Sequence, residues 1–194
     1  FGNDLDTART LDKTLGKLFT EKQIFRIDHY LAKEALQNIL AFRFYNSMFE
    51  PIWNAKHIDK IHLKLSETNG VGDRGDSYDP VGAIKDVGQN HMLMMLAAIA
   101  MNRPKTFAAG DIRKERARTL SNLHLAKSAI AKTCTTRGQY EGYKEEVGVP
   151  KDSSTETYFR VVAELSTTTW KGVPFFLESG KALAEAKTEI DVYF

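Results

Sequence analysis

The chain is poor in several features that would direct its reading. It has one cysteine, Cys134, so no internal disulfide can form, and this usage fits a reducing, cytoplasmic compartment. No apolar run approaches the roughly 20 residues needed to cross a bilayer, the longest being residues 92–101, so no membrane association is expected. Charge of one sign is also scarce. Against 27 Lys and Arg stand 25 Asp and Glu, a net +2 too small and too scattered for a nucleic-acid surface. There is no secretory leader pattern, internal repeat or low-complexity linker. What remains is an ordinary globular composition, 42% hydrophobic and 27% charged over 194 residues, enough for one domain with a sizeable core. Because the chain opens on Phe with a helix signal by its third residue, it is expected to be an internal piece of something longer.

Periodicity divides the chain into a helical front and a sheet-rich back. Asn3 or Asp4 can cap a helix carrying Leu5, Ala8, Leu11, Leu15 and Leu18, whose apolar stripe needs a partner surface. Residues 23–28 alternate like a short strand, and residues 32–49 return to helical spacing before Pro51. Residues 57–66 alternate with Ile61, Leu63 and Leu65 on one face and His62, Lys64 and Ser66 on a wetter one. Asp79-Pro80 predicts the start of a long helix to about Met101, and Asp111 caps another to about Leu125, with Arg113, Lys114, Arg116 and Arg118 as a solvated face. Residues 137–140, 157–165, 170–177 and 188–194 are strand candidates. Helices first and sheet later predict an α+β fold: several helices on one face of a mixed, largely antiparallel sheet.

One motif invites misreading. Gly70-Val71-Gly72-Asp73-Arg74-Gly75 matches the dinucleotide fingerprint, but Lys60, His62 and Lys64 wet the preceding strand, and the next helix signal, Asp79, comes too late to hold a pyrophosphate on the glycine turn. A plain mobile turn is expected there.

Two segments concentrate chemistry. Residues 26–34 place Asp28, His29, Tyr30 and Lys33 together just before a helix, a composition suited to an anionic, hydroxylated ligand. In residues 85–91, polar side chains ending in His91 interrupt an otherwise apolar helix, and such an interruption must face a cavity, a hydrogen-bonding partner or water. A structural histidine is the commoner case, and His57, His62 and His124 are read that way.

These segments, with Phe1-Gly2, Gln37-Asn38-Ile39-Leu40, Phe42-Arg43-Phe44, Phe49-Glu50-Pro51-Ile52-Trp53, Arg137-Gly138-Gln139-Tyr140, Thr155-Glu156-Thr157 and Gly172-Val173-Pro174-Phe175-Phe176 in order, resemble the glucose-6-phosphate dehydrogenase family over nearly the whole chain. Most of the landmarks are read as structural, with Phe42, Phe44, Phe49, Trp53 and Phe175 as core candidates and Arg43 as a partner for an acid. The resemblance implies His91 as the catalytic base and Asp28 as the carboxylate that orients it. It implies His29, Tyr30 and Lys33 for the substrate phosphate, Glu67 and Asp86 for sugar hydroxyls, and Lys181 as a late substrate contact. Glu178 stands where the family usually has Arg, and it is expected to repel phosphate or draw Lys181 away.

The resemblance further implies an incomplete β+α domain. Residues 1–194 would be part of the substrate-binding and dimerisation domain, and residues 1–20 the link to an N-terminal Rossmann domain lying before Phe1. The parent enzyme would oxidise β-D-glucose 6-phosphate to 6-phospho-D-glucono-1,5-lactone with NADP, as a homo-oligomer and without a metal. This chain alone would be inactive, since the coenzyme would be bound mainly elsewhere. The alternative is a non-catalytic sugar-phosphate-binding or dimerisation module.

Overall fold

A computed structural model describes residues 4–28, 34–126 and 135–194, with backbone only at 34–37. Its architecture is the expected α+β arrangement. Helix α1 (Leu5–Gly16) is capped by Asp4, whose Oδ1 accepts the Thr7 N–H at 2.8 Å. Its apolar stripe forms as the spacing predicts, yet no residue of α1 is buried.

Residues 24–28 are not a strand. A strand needs a ladder, and among the described residues no neighbour pairs with this segment. It leaves a 3₁₀ turn at Glu21–Gln23 and continues as irregular chain. The alternation survives in burial, with Ile24 and Asp28 half-buried and Phe25 and Ile27 outside.

Helix α2 (Glu34–Tyr45) ends before Pro51, as expected. Strand β1 (Lys60–Ser66) alternates as its sequence does, burying Ile61, Leu63 and Leu65. The long helix does not start at Asp79-Pro80. A short helix, α3 (Gly75–Tyr78), precedes that pair, and the Asp79 carboxylate is taken by the Tyr143 and Ser153 hydroxyls instead. The rod then runs from Gly82, with π-helical turns over Ile84–Met92 continuing into α4 (Leu93–Ala100). The winding is visible in the Leu93 N–H, which reaches the Gly88 carbonyl five residues back. Glu156 holds the other end, its Oε1 accepting the Ile84 N–H at 3.1 Å. Gly82 there has φ +74°, and a Cβ would lie 2.7 Å from that carboxylate.

Helix α5 (Ala109–Leu120) begins two residues before Asp111, which binds Thr106 rather than capping, and it stops short of the expected end. The residues beyond it form β2 (Leu123–Leu125), followed by β3 (Thr135–Gly138), β4 (Tyr158–Leu165), β5 (Phe175–Gly180) and β6 (Lys187–Tyr193). The sheet order is β2-β4-β5-β1-β6, with β3 also on β4; among the described strands only β1 and β5 are parallel.

The register sets two faces. Ile61 opposite Phe175 and Leu63 opposite Leu177 and Ile190 belong to the face under the helical rod, where Val87, Met92, Met95, Leu96 and Ile99 complete the core. His62, Lys64, Arg160, Phe176 and Glu178 belong to the opposite, polar face.

The C-terminus of α4 is buried, and its last carbonyls need donors. Arg43 Nη1 donates to Ala98 O and Ile99 O at 3.2 and 2.8 Å, Trp53 Nε1 to Ile99 O at 2.9 Å, and Trp170 Nε1 to Ala100 O at 2.8 Å. Burial pushes the Arg43 guanidinium down to about 10 while Glu50, 3.6 Å away, opposes the shift. Phe44, Trp53 and Phe175 are core residues as read from sequence, whereas Phe42 lies outside, its ring 4.4 Å from that of half-buried Phe49. Among the described residues no helix is long and apolar enough to cross a membrane.

Candidate active site

The parallel pair fixes the first part of the site. Ser66 lies opposite Gly180, so Glu67 and Lys181 leave the same end of two adjacent strands. The Glu67 N–H donates to Gly180 O at 2.9 Å, and Lys181 Nζ donates to Glu67 Oε2 at 2.8 Å. Lys181 is only 4% exposed, and its ammonium also stands 5.6 Å from the centre of the Tyr78 ring. Burial raises the Tyr78 phenol, with the charge of Asp86 the next cause. The Asp86 charge thus acts on the Tyr78 phenol from the π-helical stretch.

Glu178 does not draw Lys181 away. It belongs to the opposite face, where His62 Nε2 lies 2.9 Å from one carboxylate oxygen and the Tyr158 hydroxyl donates to the other at 3.0 Å. Burial holds the His62 imidazole below its ordinary value, against the pull of Glu178. His62 is structural, as its sequence context suggested.

The second part joins the π-helical stretch to the segment leaving α1. His91 Nδ1 is 3.0 Å from Asp28 Oδ1, and each side chain is 17% exposed. A ring whose Nδ1–H donates to a carboxylate carries its basic lone pair on Nε2. Asp28 and His91 line a hollow of about 530 Å³, together with Arg26, Asn90, Arg113 and Arg116. Glu67, Asp86 and Lys181 do not line that hollow; Lys181 and Glu67 form a separate group beside Tyr78. His29, Tyr30 and Lys33 lie outside the described residues, as does Cys134.

Three participants were missed or misjudged in the sequence. Arg116 is half-buried and lines the hollow, although it was assigned to a solvated face. The signal was present: Ile112, Arg116 and Leu120 follow one another at four-residue spacing on α5, which places the arginine on that helix's apolar stripe. Tyr78 carried no signal beyond its place in a loop. Glu156 was read only as part of a landmark, but it caps the rod that carries His91.

The glycine motif packs against other parts of the chain at its first and last glycines. A Cβ on Gly70 would meet Glu146 at 2.8 Å, and one on Gly75 would meet the Val147 carbonyl oxygen at 2.1 Å. Val71 N–H donates to the Tyr140 hydroxyl at 2.9 Å, and Val71 is buried with Tyr78, Tyr143 and Val149. These glycines allow close packing of protein on protein.

Comparison with known proteins gives the family. The chain is 43% identical over 204 aligned residues to glucose-6-phosphate 1-dehydrogenase 2 of Mycobacterium tuberculosis, covering all of this chain and 39% of that protein. It is 42% identical over 198 residues to the glucose-6-phosphate 1-dehydrogenase of Dictyostelium discoideum, covering 40% of it. The chain thus spans about two fifths of the length of these curated relatives. Among solved structures, the enzyme from Mycobacterium avium superposes with a TM-score of 0.90 at 40% identity, over 99% of this chain and 42% of that one. A glucose-6-phosphate dehydrogenase in complex with its substrate glucose-6-phosphate superposes with a TM-score of 0.91 at 34% identity, over 99% of this chain and 40% of that one. Residues 1–38 match the family's NAD binding domain and residues 40–194 its C-terminal domain, and the chain belongs to the glucose-6-phosphate dehydrogenase family.

Proposed function

We propose that the protein carrying this chain oxidises β-D-glucose 6-phosphate to 6-phospho-D-glucono-1,5-lactone, with hydride transfer to NADP. The observation that carries this reading is the 3.0 Å contact between Asp28 and His91, made by residues 63 positions apart. With Nδ1–H donated to Asp28, His91 Nε2 accepts the proton of the anomeric hydroxyl as the hydride leaves the same carbon. Bound NADP supplies the acceptor for that hydride. The bond that forms is the lactone carbonyl, and the displaced proton rests on the imidazole beside a carboxylate that stabilises its charge.

Glu67 and Asp86 accept hydrogen bonds from sugar hydroxyls, and Lys181 donates to the substrate. His29, Tyr30 and Lys33 hold the phosphate, as the resemblance implies. Lys181 and Glu67 hold one another, so sugar binding exchanges part of that contact for contacts to hydroxyls. The family's coenzyme-binding domain extends over residues 1–38 of this chain only. NADP binding is therefore assigned to the remainder of the domain whose family description matches residues 1–38, and the 194-residue chain alone is expected not to turn over. A cytoplasmic homo-oligomer is part of the same reading, supported by family membership and the single cysteine.

The whole enzyme should reduce NADP when given glucose 6-phosphate, and His91→Asn should lower kcat by roughly 10²–10⁴-fold, the usual worth of a general base. Near-parental kcat in that variant would remove His91 from the role. Absence of NADP reduction by the parental enzyme at high concentration would remove the reading itself.

A further inference from the structure

Lys181 is a long cation held almost out of water, and the acid beside it explains only part of that. Its side chain is 4% exposed and Nζ donates to Glu67 Oε2 at 2.8 Å, but the Glu67 side chain is itself 41% exposed. A flexible four-carbon stem anchored by that acid alone would keep much of its freedom. The second contact is an aromatic ring: Nζ lies 5.6 Å from the centre of Tyr78, within the range of a cation–π interaction.

The ring is fixed by several contacts of its own. Tyr78 is 4% exposed and ends the short helix α3. Its hydroxyl donates to the Glu156 carbonyl at 3.3 Å, and the same carbonyl accepts the Ala83 N–H at 3.0 Å near the start of the helical rod. The Tyr143 ring packs edge-on against it with centroids 6.2 Å apart, and the Tyr143 hydroxyl is tied to Asp79 at 2.8 Å. The backbone of Lys181 reaches the same stretch of chain, its N–H donating to Thr157 O at 3.0 Å. Cation and ring are therefore both referenced to residues 156–157, so backbone contacts set the distance between them.

We propose that Tyr78 is a positioning residue for substrate binding, its ring the floor that holds the Lys181 ammonium beside Glu67 at the end of the two parallel strands. It acts through Lys181, and this role rests on the dehydrogenase reading above, in which Lys181 donates to the substrate. A neutral aromatic face suits the place: it attracts the cation without competing, as a second carboxylate would, for the ammonium's N–H donors. A group that presents a binding lysine serves ground state and transition state alike, so its loss falls on affinity rather than on kcat.

The test measures KM and kcat of the whole parental enzyme, Tyr78→Leu, Tyr78→Phe, Lys181→Met and the double variant Tyr78→Leu with Lys181→Met, alongside a calorimetric Kd for glucose 6-phosphate. Tyr78→Leu should raise KM and Kd by about 3- to 30-fold, the worth of a desolvated cation–π contact, with kcat changed less than KM. Tyr78→Phe keeps the ring and should stay within about twofold of the parent. On the Lys181→Met background the leucine substitution should weaken binding no further, because the group that the ring positions is gone. If Tyr78→Leu shows no cooperative thermal transition, Tyr78→Met takes its place with the same readouts. A tyrosine needed only for structure would lower affinity equally on both backgrounds, and that result overturns the inference, as does parental KM and Kd in Tyr78→Leu. A parental enzyme that binds glucose 6-phosphate without reducing NADP overturns the function reading alone and leaves the binding comparison decisive; one that does not bind it overturns both.

Discussion

The front of the chain and its body solve the same problem in opposite ways. In α1 the apolar stripe is only partly covered: Ala8, Leu11 and Leu15 are half-buried, while Leu5 and, just past the helix, Leu18 are exposed. The following segment leaves Phe25 and Ile27 about four-fifths exposed. Two charge contacts tie this region to the rest, Arg113 to Glu21 and Asp28 to His91, while Arg26 to Asp12 and Glu21 braces the region internally. In the body, by contrast, the rod of π-helical turns and α4 buries its side chains on the sheet and has its last carbonyls satisfied by Arg43, Trp53 and Trp170. Exposed ion pairs are individually worth about 0–1 kcal/mol, while each fully buried large apolar side chain is worth about 1.5–3. The candidate site straddles the two regimes, with the base on the strongly held rod and its orienting carboxylate on the weakly held segment.

Three stability measurements by denaturant unfolding of this chain would sharpen or break that contrast. The largest effect is expected for Arg43→Met, which leaves the Ala98 carbonyl and the Glu50 carboxylate without their buried partner and should cost about 2–4 kcal/mol. Next comes Gly88→Ala. Its new methyl would stand 2.9 Å from Phe159 Cζ in a core with no room to yield, for a loss of about 1–3 kcal/mol. The smallest effect belongs to the front: Leu18→Ser should change stability by no more than about 0.5 kcal/mol, because Leu18 is exposed. A clearly larger loss there would mean that the α1 stripe is covered in solution and that the contrast is false.

The body was the legible part. Ile61, Leu63 and Leu65 alternate in sequence and in burial, and the α+β arrangement followed from the order of periodicities. The front misled where local pattern was taken for pairing: residues 24–28 keep a strand's alternation without a ladder, because hydrogen-bonded neighbours are a tertiary property. Asp79 misled because a capping residue can be claimed by other donors, here Tyr143 and Ser153. In the candidate site, Asp28 and His91 were paired by resemblance, and the interruption of an apolar helix by Asn90-His91 called for a cavity, a hydrogen-bonding partner or water; the structure gives His91 both a hollow and a partner. Arg116 was missed because its charge was weighed before its position on the wheel.

One further consequence follows from the winding of Ile84–Met92. On an ordinary α-helix, residues five apart diverge by roughly 140° around the axis, so Asp86 and His91 would look in different directions. With hydrogen bonds closing five residues back, that same separation makes a little more than one full turn, which brings positions 86 and 91 toward one side of the rod. The looser coil is thus a local change of gear that re-aims His91 relative to the residues one turn before it.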